Sequence, residues 1–191
     1  MKLYQHRNLG TKLAVTLLGL SLAAGTVSFA ADRPSNIATS ETKSKLDAKD
    51  WKFLKEAAED GMAEVRLGEL AKQQASQPQV KDLGTQMIAD HTKANEELKS
   101  IASKKGLTFP SDVDSKHKTK VERLSKLQGA EFDRAYVADL IKDHKTDIAE
   151  FEAIAKSAED PDVKAFAEKT LPTLRSHLER VEAVQAEITK K

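Results

Sequence analysis

Three histidines stand where amphipathic helices need apolar residues. "IADHTKANEEL" (88–98) reads as helix, and alternating steps of four and three through it give Val80, Gly84, Met87, His91, Ala94, Leu98 and Ile101. His91 is the ionisable member of that stripe. The same stepping gives Val137, Ile141, His144, Ile148, Phe151 and Ala155 in a later segment. In the last segment it gives Val163, Ala167, Thr170, Leu174, His177, Val181, Val184 and Ile188. An earlier segment gives Leu54, Ala57, Gly61, Glu64, Gly68 and Ala71, whose odd member is a carboxylate among small residues. A carboxylate and imidazoles are donors that first-row transition metals take. Glu64, His91, His144 and His177 are therefore candidate ligands for a zinc, copper or iron ion, and Asp147, about one turn from His144, can join them. A second reading stands beside the first: a hydrogen-bonded His–Glu/Asp layer satisfies the same buried groups with no metal. His117, in a polar connection, reads as a surface residue.

Four long helices must position these groups. Asp47 can cap the first, with Leu46 and Trp51 spaced as a hydrophobic staple, and the helix runs to about Ala75. "SQPQ" (76–79) offers a Ser-x-x-Gln capping box, and Pro78 falls in the first turn, where proline is tolerated. The second helix then runs to Lys105, with Gly106 as its stop signal and Pro110 just beyond. Residues 107–129 form a long connection with a short helix expected over 112–127, punctuated by Gly129. The third long helix covers about 130–158. Asp160 followed by Pro161 marks a cap and first helical position for the fourth, which runs to about 188 with a kink expected at Pro172.

Four amphipathic helices of similar length describe a four-helix bundle. The long middle connection either crosses the bundle, as in ferritin-like folds, or folds back locally to give an up-down arrangement. Helix midpoints fall near residues 61, 91, 144 and 175. Glu64, His91, His144 and His177 lie within about three residues of these, roughly 4–5 Å of rise, so equal antiparallel helices would bring them into one layer. "QPQVKDLGTQM" (77–87) and "DPDVKAFAEKT" (160–170) also match at an offset of 83, which pairs Phe53 with Tyr136 and Glu64 with Asp147. A duplicated helical hairpin would leave that trace.

The chain of 191 residues has no cysteine, which excludes a disulfide framework, lipoprotein attachment and covalent haem. Lys2, Arg7 and Lys12 precede the apolar run "LAVTLLGLSLAAG" (13–25), too short to span a bilayer comfortably, and Ser28 and Ala30 suit a cleavage site. Residues 1–30 therefore read as a secretory signal peptide cleaved after Ala30, 31–45 as a flexible leader, and 46–191 as the bundle. Removing three basic residues leaves 28 Lys/Arg against 30 Asp/Glu, a net charge of −2, with no basic footprint for nucleic acid. The expected location is the periplasm or the exterior, with no span after cleavage. An envelope partner and self-association stay open.

"FLKEAAEDGMAEVRLGELA" (53–71), "MIADHTKANEEL" (87–98), "GAEFDRAYV" with "IKDHKTDIAEFE" (129–152) and "VKAFAEKTLPTLRSHLERV" (163–181) together resemble a bacterial envelope family of unknown function. Its members are often labelled outer-membrane proteins and grouped with ferritin-like folds. The resemblance covers about residues 48–187 and implies an all-α, ferritin-like four-helix bundle with a short extra helix between helices two and three. It implies no established activity. No alternating strands of the barrel kind accompany the label. The usual di-iron pattern puts a glutamate three residues before each ligand histidine; here those positions hold Ile88, Ile141 and Leu174, which argues against a di-iron oxidase.

Overall fold

The computed structural model describes residues 46–190, which lie within the compact unit Glu41–Lys191. The signal peptide (1–30) and the leader (31–45) read from the sequence fall outside the described residues. The order is α1 (Ala48–Gln74), α2 (Pro78–Lys104), α3 (Ser115–Leu124), α4 (Gly129–Ser157) and α5 (Pro161–Ile188). All described regular structure is helical, as expected. α1 packs on α2 and α4 on α5 as two hairpins; α1 then lies against α4, and α2 against α5.

The helix ends are built largely as the sequence suggests. Asp47 accepts from Lys49 N at 2.8 Å, and Leu46 and Trp51 both join the apolar cluster beside that end. Asp160 accepts from Asp162 N and Val163 N, with Pro161 as the first residue of α5. Gly106 has φ +69°, a left-handed conformation that costs glycine little, and Leu107 N returns to Ala102 O at 2.9 Å. The short helix is tighter than expected, capped by Asp114 and ending at Leu124. α5 continues through Pro172. The capping box at 76–79 does not form: Gln77 is the N-cap of α2, and the Ser76 hydroxyl donates instead to Asp133 of α4.

That contact and its counterpart fix the topology. Buried Asp133, near the start of α4, accepts from Ser76 N and Gln77 N, both at 3.1 Å, at the end of α1. Buried Asp50, near the start of α1, accepts from Glu159 N at 3.0 Å and Asp160 N at 2.8 Å, at the end of α4. The start of each helix therefore meets the end of the other, and α1 and α4 run antiparallel. With α1–α2 and α4–α5 also antiparallel, α2 and α4 point the same way. The connection between them must cross the bundle, which is the ferritin-like arrangement. The two contacts are equivalent at the offset of 83: Asp50 matches Asp133, and residues 76 and 77 match 159 and 160. Each hairpin thus caps the turn of the other.

α1 and α2 approach closely at Gly68 and Gly84. A Cβ on Gly84 would stand 2.7 Å from the Gly68 carbonyl oxygen and 2.8 Å from the Ala71 Cβ. Neither neighbour can swing aside, so a methyl group there must push the helices apart. Alanine favours helix over glycine by roughly 1 kcal/mol, but overpacking costs about 1–3 kcal/mol. Gly84→Ala is expected to lose up to about 2 kcal/mol net in urea denaturation; a clear gain would show that the helices part freely.

The core has two apolar clusters. One contains Leu67, Val80, Leu83, Met87, Phe132, Tyr136, Leu140 and Val181. The other contains Phe53, Leu54, Leu98, Phe151, Val163, Phe166 and Leu174. By chain position, Glu64, His91, His144 and His177 fall between them, so the polar layer read from the helix midpoints lies between two dry halves.

Candidate metal centre

Each histidine is placed by a different helix, and their rings meet. His91 on α2, His144 on α4 and His177 on α5 have centroid separations of 5.9 Å (91–144), 5.6 Å (91–177) and 5.3 Å (144–177). One nitrogen from each lies within 4.8 Å of the others. His144 and His177 are fully buried, and the His91 Nε2 is buried although the residue as a whole is partly exposed.

Hydrogen bonds orient two of the rings. The Leu140 carbonyl can only accept, so His144 Nδ1 donates to it at 3.0 Å and turns the Nε2 lone pair inward. That Nε2 lies 3.2 Å from His177 Nδ1. On its far side His177 Nε2 is 2.8 Å from an Asp90 carboxylate oxygen. A carboxylate behind a histidine fixes its orientation and raises its basicity, the support common behind metal ligands. Asp90 escaped the sequence reading because it is polar and off the apolar stripe; its one signal was adjacency to His91. The chain from Asp90 to Leu140 leaves His91 Nε2 with no partner. A buried imidazole nitrogen without a partner, facing two others, fits a cation that supplies the missing bond. Three imidazole nitrogens suit copper, zinc or iron.

Burial first, then the neighbouring His144 and His177 charges, holds His91 down to about 3 from an ordinary 6.5. Burial and His177 hold His144 down to about 4. Both rings are therefore neutral at ordinary pH, the form that ligates. A lowered folded-state pKa gives stability that is present above 6.5 and lost as pH falls toward the folded value. In metal-free protein, His91→Leu should therefore raise the melting temperature, and its advantage should widen as pH falls from about 6.5 toward 3. Thermal melts at pH 7 and 5 check this; destabilisation at both would mean that the imidazole holds the layer together.

Glu64 and Asp147 do not join the three-nitrogen group. They line a cleft of about 990 Å³ between α1, α3 and α4. Glu64 is buried and its Oε2 has no hydrogen-bond partner. Burial raises its carboxyl well above the usual range, and Asp143 and Asp147 add to this. Burial, then Asp60 and Asp143, raises Asp147 to about 8. The structure also corrects His117, which is buried rather than a surface residue. Its Nε2 meets Asp60 at 2.6 Å and its Nδ1 meets Asp114 at 2.8 Å, and the hydrogen bond to Asp60 leads in raising its pKa. "SKHKTK" (115–120) has no apolar period, so nothing local announced that the crossing segment docks on α1.

The triad has its own approach from the surface. A groove of about 110 Å³ between α2 and α5 is lined by Asp90, His91, Thr170, Leu174 and His177 among others. No helix among the described residues is long and apolar enough to cross a membrane.

Comparison with known proteins gives the fold a wider setting. A fragment of a DUF305 protein from Deinococcus radiodurans superposes with a TM-score of 0.66 at 15% identity, covering 74% of this chain and 98% of that one. CopM in its Cu(II)-bound form gives 0.62 at 17% identity over 72% and 96% of the two chains. Its Cu(I)-bound form gives 0.59 at 17% identity over 70% and 93%. At such identities the likeness is one of fold. No curated protein matches the sequence. A family model does: residues 35–184 match DUF4142, a domain of unknown function, and the chain belongs to that family.

Proposed function

We propose that this is a periplasmic or secreted protein of the cell envelope that binds one copper ion through His91, His144 and His177 and serves metal handling. The observation that carries the reading is the partnerless, buried His91 Nε2 facing two oriented imidazoles. The charged "MKLYQHR" start with its short apolar run supports export. Copper is chosen among zinc, copper and iron because a similarly folded protein is known in Cu(I)- and Cu(II)-bound forms. The residues supply binding and orientation. Asp90 orients His177, the Leu140 carbonyl orients His144, and apolar clusters flank the layer on either side. No oxidase chemistry is proposed, since the Glu-x-x-His pairs of di-iron sites are absent.

A second reading rests on the chain from Asp90 through His177 and His144 to Leu140, which satisfies two of the three rings without metal when His177 donates from both nitrogens, to the Asp90 carboxylate and to His144 Nε2. In it the layer is structural and the bundle surface engages an envelope partner or a second copy. Titration of metal-free protein with Cu(I), Cu(II) and Zn(II) separates the two. One equivalent bound, and lost in His91→Ala/His144→Ala, supports the metal reading. Indifference to all three ions supports the structural one.

A further inference from the structure

We propose that the cleft between α1, α3 and α4 is a second cation site, in which Glu64, Asp147 and Asp60 hold a hydrated, oxygen-preferring divalent ion. The carboxylates that share the histidines' layer in the sequence pattern would then serve a different ion from the imidazoles. Acidic residues lining a cleft are commonplace, and Glu64 is what sets this one apart. It is only 4% exposed, lines the cleft and leaves Oε2 without a partner. The cations nearby are largely committed elsewhere: Lys120 pairs with Asp143, Arg123 with Asp139, and Lys55 leans on Glu59. His117 has both ring nitrogens on Asp60 and Asp114 and offers no free lone pair. Lys116 and Lys142 also line the cleft; the donors left beside them are carboxylate and hydroxyl oxygens, the set that suits magnesium, calcium or manganese rather than copper.

The spacing limits how such an ion can be held. Among the described residues, no three donor atoms of the cleft approach one another as closely as the triad's nitrogens. An ion here would keep part of its water shell, as small hard cations do. Asp60 and Asp147 also border a small cavity of about 30 Å³ that His91 lines as well, so the two sites are neighbours with separate donor sets.

Manganese(II) is the probe, followed by electron paramagnetic resonance on the mature protein, with Cu(I) titrated in parallel. One Mn(II) should bind to the wild type and to His91→Ala/His144→Ala alike. Glu64→Gln/Asp147→Asn should weaken Mn(II) at least tenfold and leave Cu(I) binding unchanged. The replacements are isosteric, so the variant should fold; should the double variant not fold, Glu64→Gln alone carries the comparison. Three results would overturn the proposal: no Mn(II) bound at millimolar concentration, binding untouched by the carboxylate variants, or Mn(II) binding lost with the histidines. The outcomes are independent of the copper reading, because failure of either ion leaves the other arm standing.

Discussion

His144→Ala is expected to weaken copper binding by more than about 100-fold while the helical content stays near that of the wild type. The magnitude follows from comparison with a lesser loss. Removing a group that merely orients a ligand typically costs about 10–100-fold in metal affinity, and that range is expected for Asp90→Asn, which acts only through His177. Loss of a ligand itself should exceed it. His144 is the right residue because its Nε2 lone pair is directed inward by the bond to Leu140, and because it contacts both other rings. The apo fold should tolerate the change, since apolar residues lie on both sides of the layer, although a cavity will cost some stability. Competition titration against a Cu(I) chelator, with circular dichroism alongside, checks both parts. Equal affinity in wild type and variant would remove His144 from the site.

Asp133→Ala should be the most damaging single change away from the triad, costing about 3–5 kcal/mol. The carboxylate is 1% exposed and accepts two backbone N–H groups and a hydroxyl at the turn between α1 and α2. Hydrogen bonds to an ionised group contribute about 1.5–3 kcal/mol each, and removing the acceptor leaves the donors buried and unpaired. Asp50→Ala should follow with a somewhat smaller loss, because it accepts from Glu159 N and Asp160 N without a hydroxyl. The two sites lie on different hairpins, so the double variant should approach the sum of the singles. Urea denaturation measures all three. If Asp133→Ala lost less than about 1 kcal/mol, the value of an ordinary exposed cap, the reciprocal capping would not be what holds the hairpins in register.

Much of this fold was legible because it rests on short-range rules. The helix starts at Asp47 and Asp160 and the stop at Gly106 are local chemistry, and each is realised. The apolar stripes placed His91, His144 and His177 in the core, and the rise per residue placed them at one height. What the stripes could not resolve is rotation about each helix axis. On α4 the buried face holds the expected Val137, His144 and Phe151 but adds Leu140 and Ile154, one position before the expected Ile141 and Ala155, which are only partly buried. A comparable uncertainty applies to α1, where Glu64 shares the histidines' height and lines the cleft between α1, α3 and α4. Asp50 and Asp133 went unread although they keep the offset of 83, because a polar residue early in a helix looks solvated until its distant partner turn is known. The same holds for His117, whose burial depends on where the crossing connection lands.

The central claim is that the histidine layer is a metal site in the cell. The direct measurement is the elemental composition, by mass spectrometry, of untagged protein purified from the periplasm, with His91→Ala/His144→Ala prepared alongside. The account predicts close to one copper per chain in the wild type and almost none in the variant. Metal-free wild type, or the same copper content in both proteins, would contradict it.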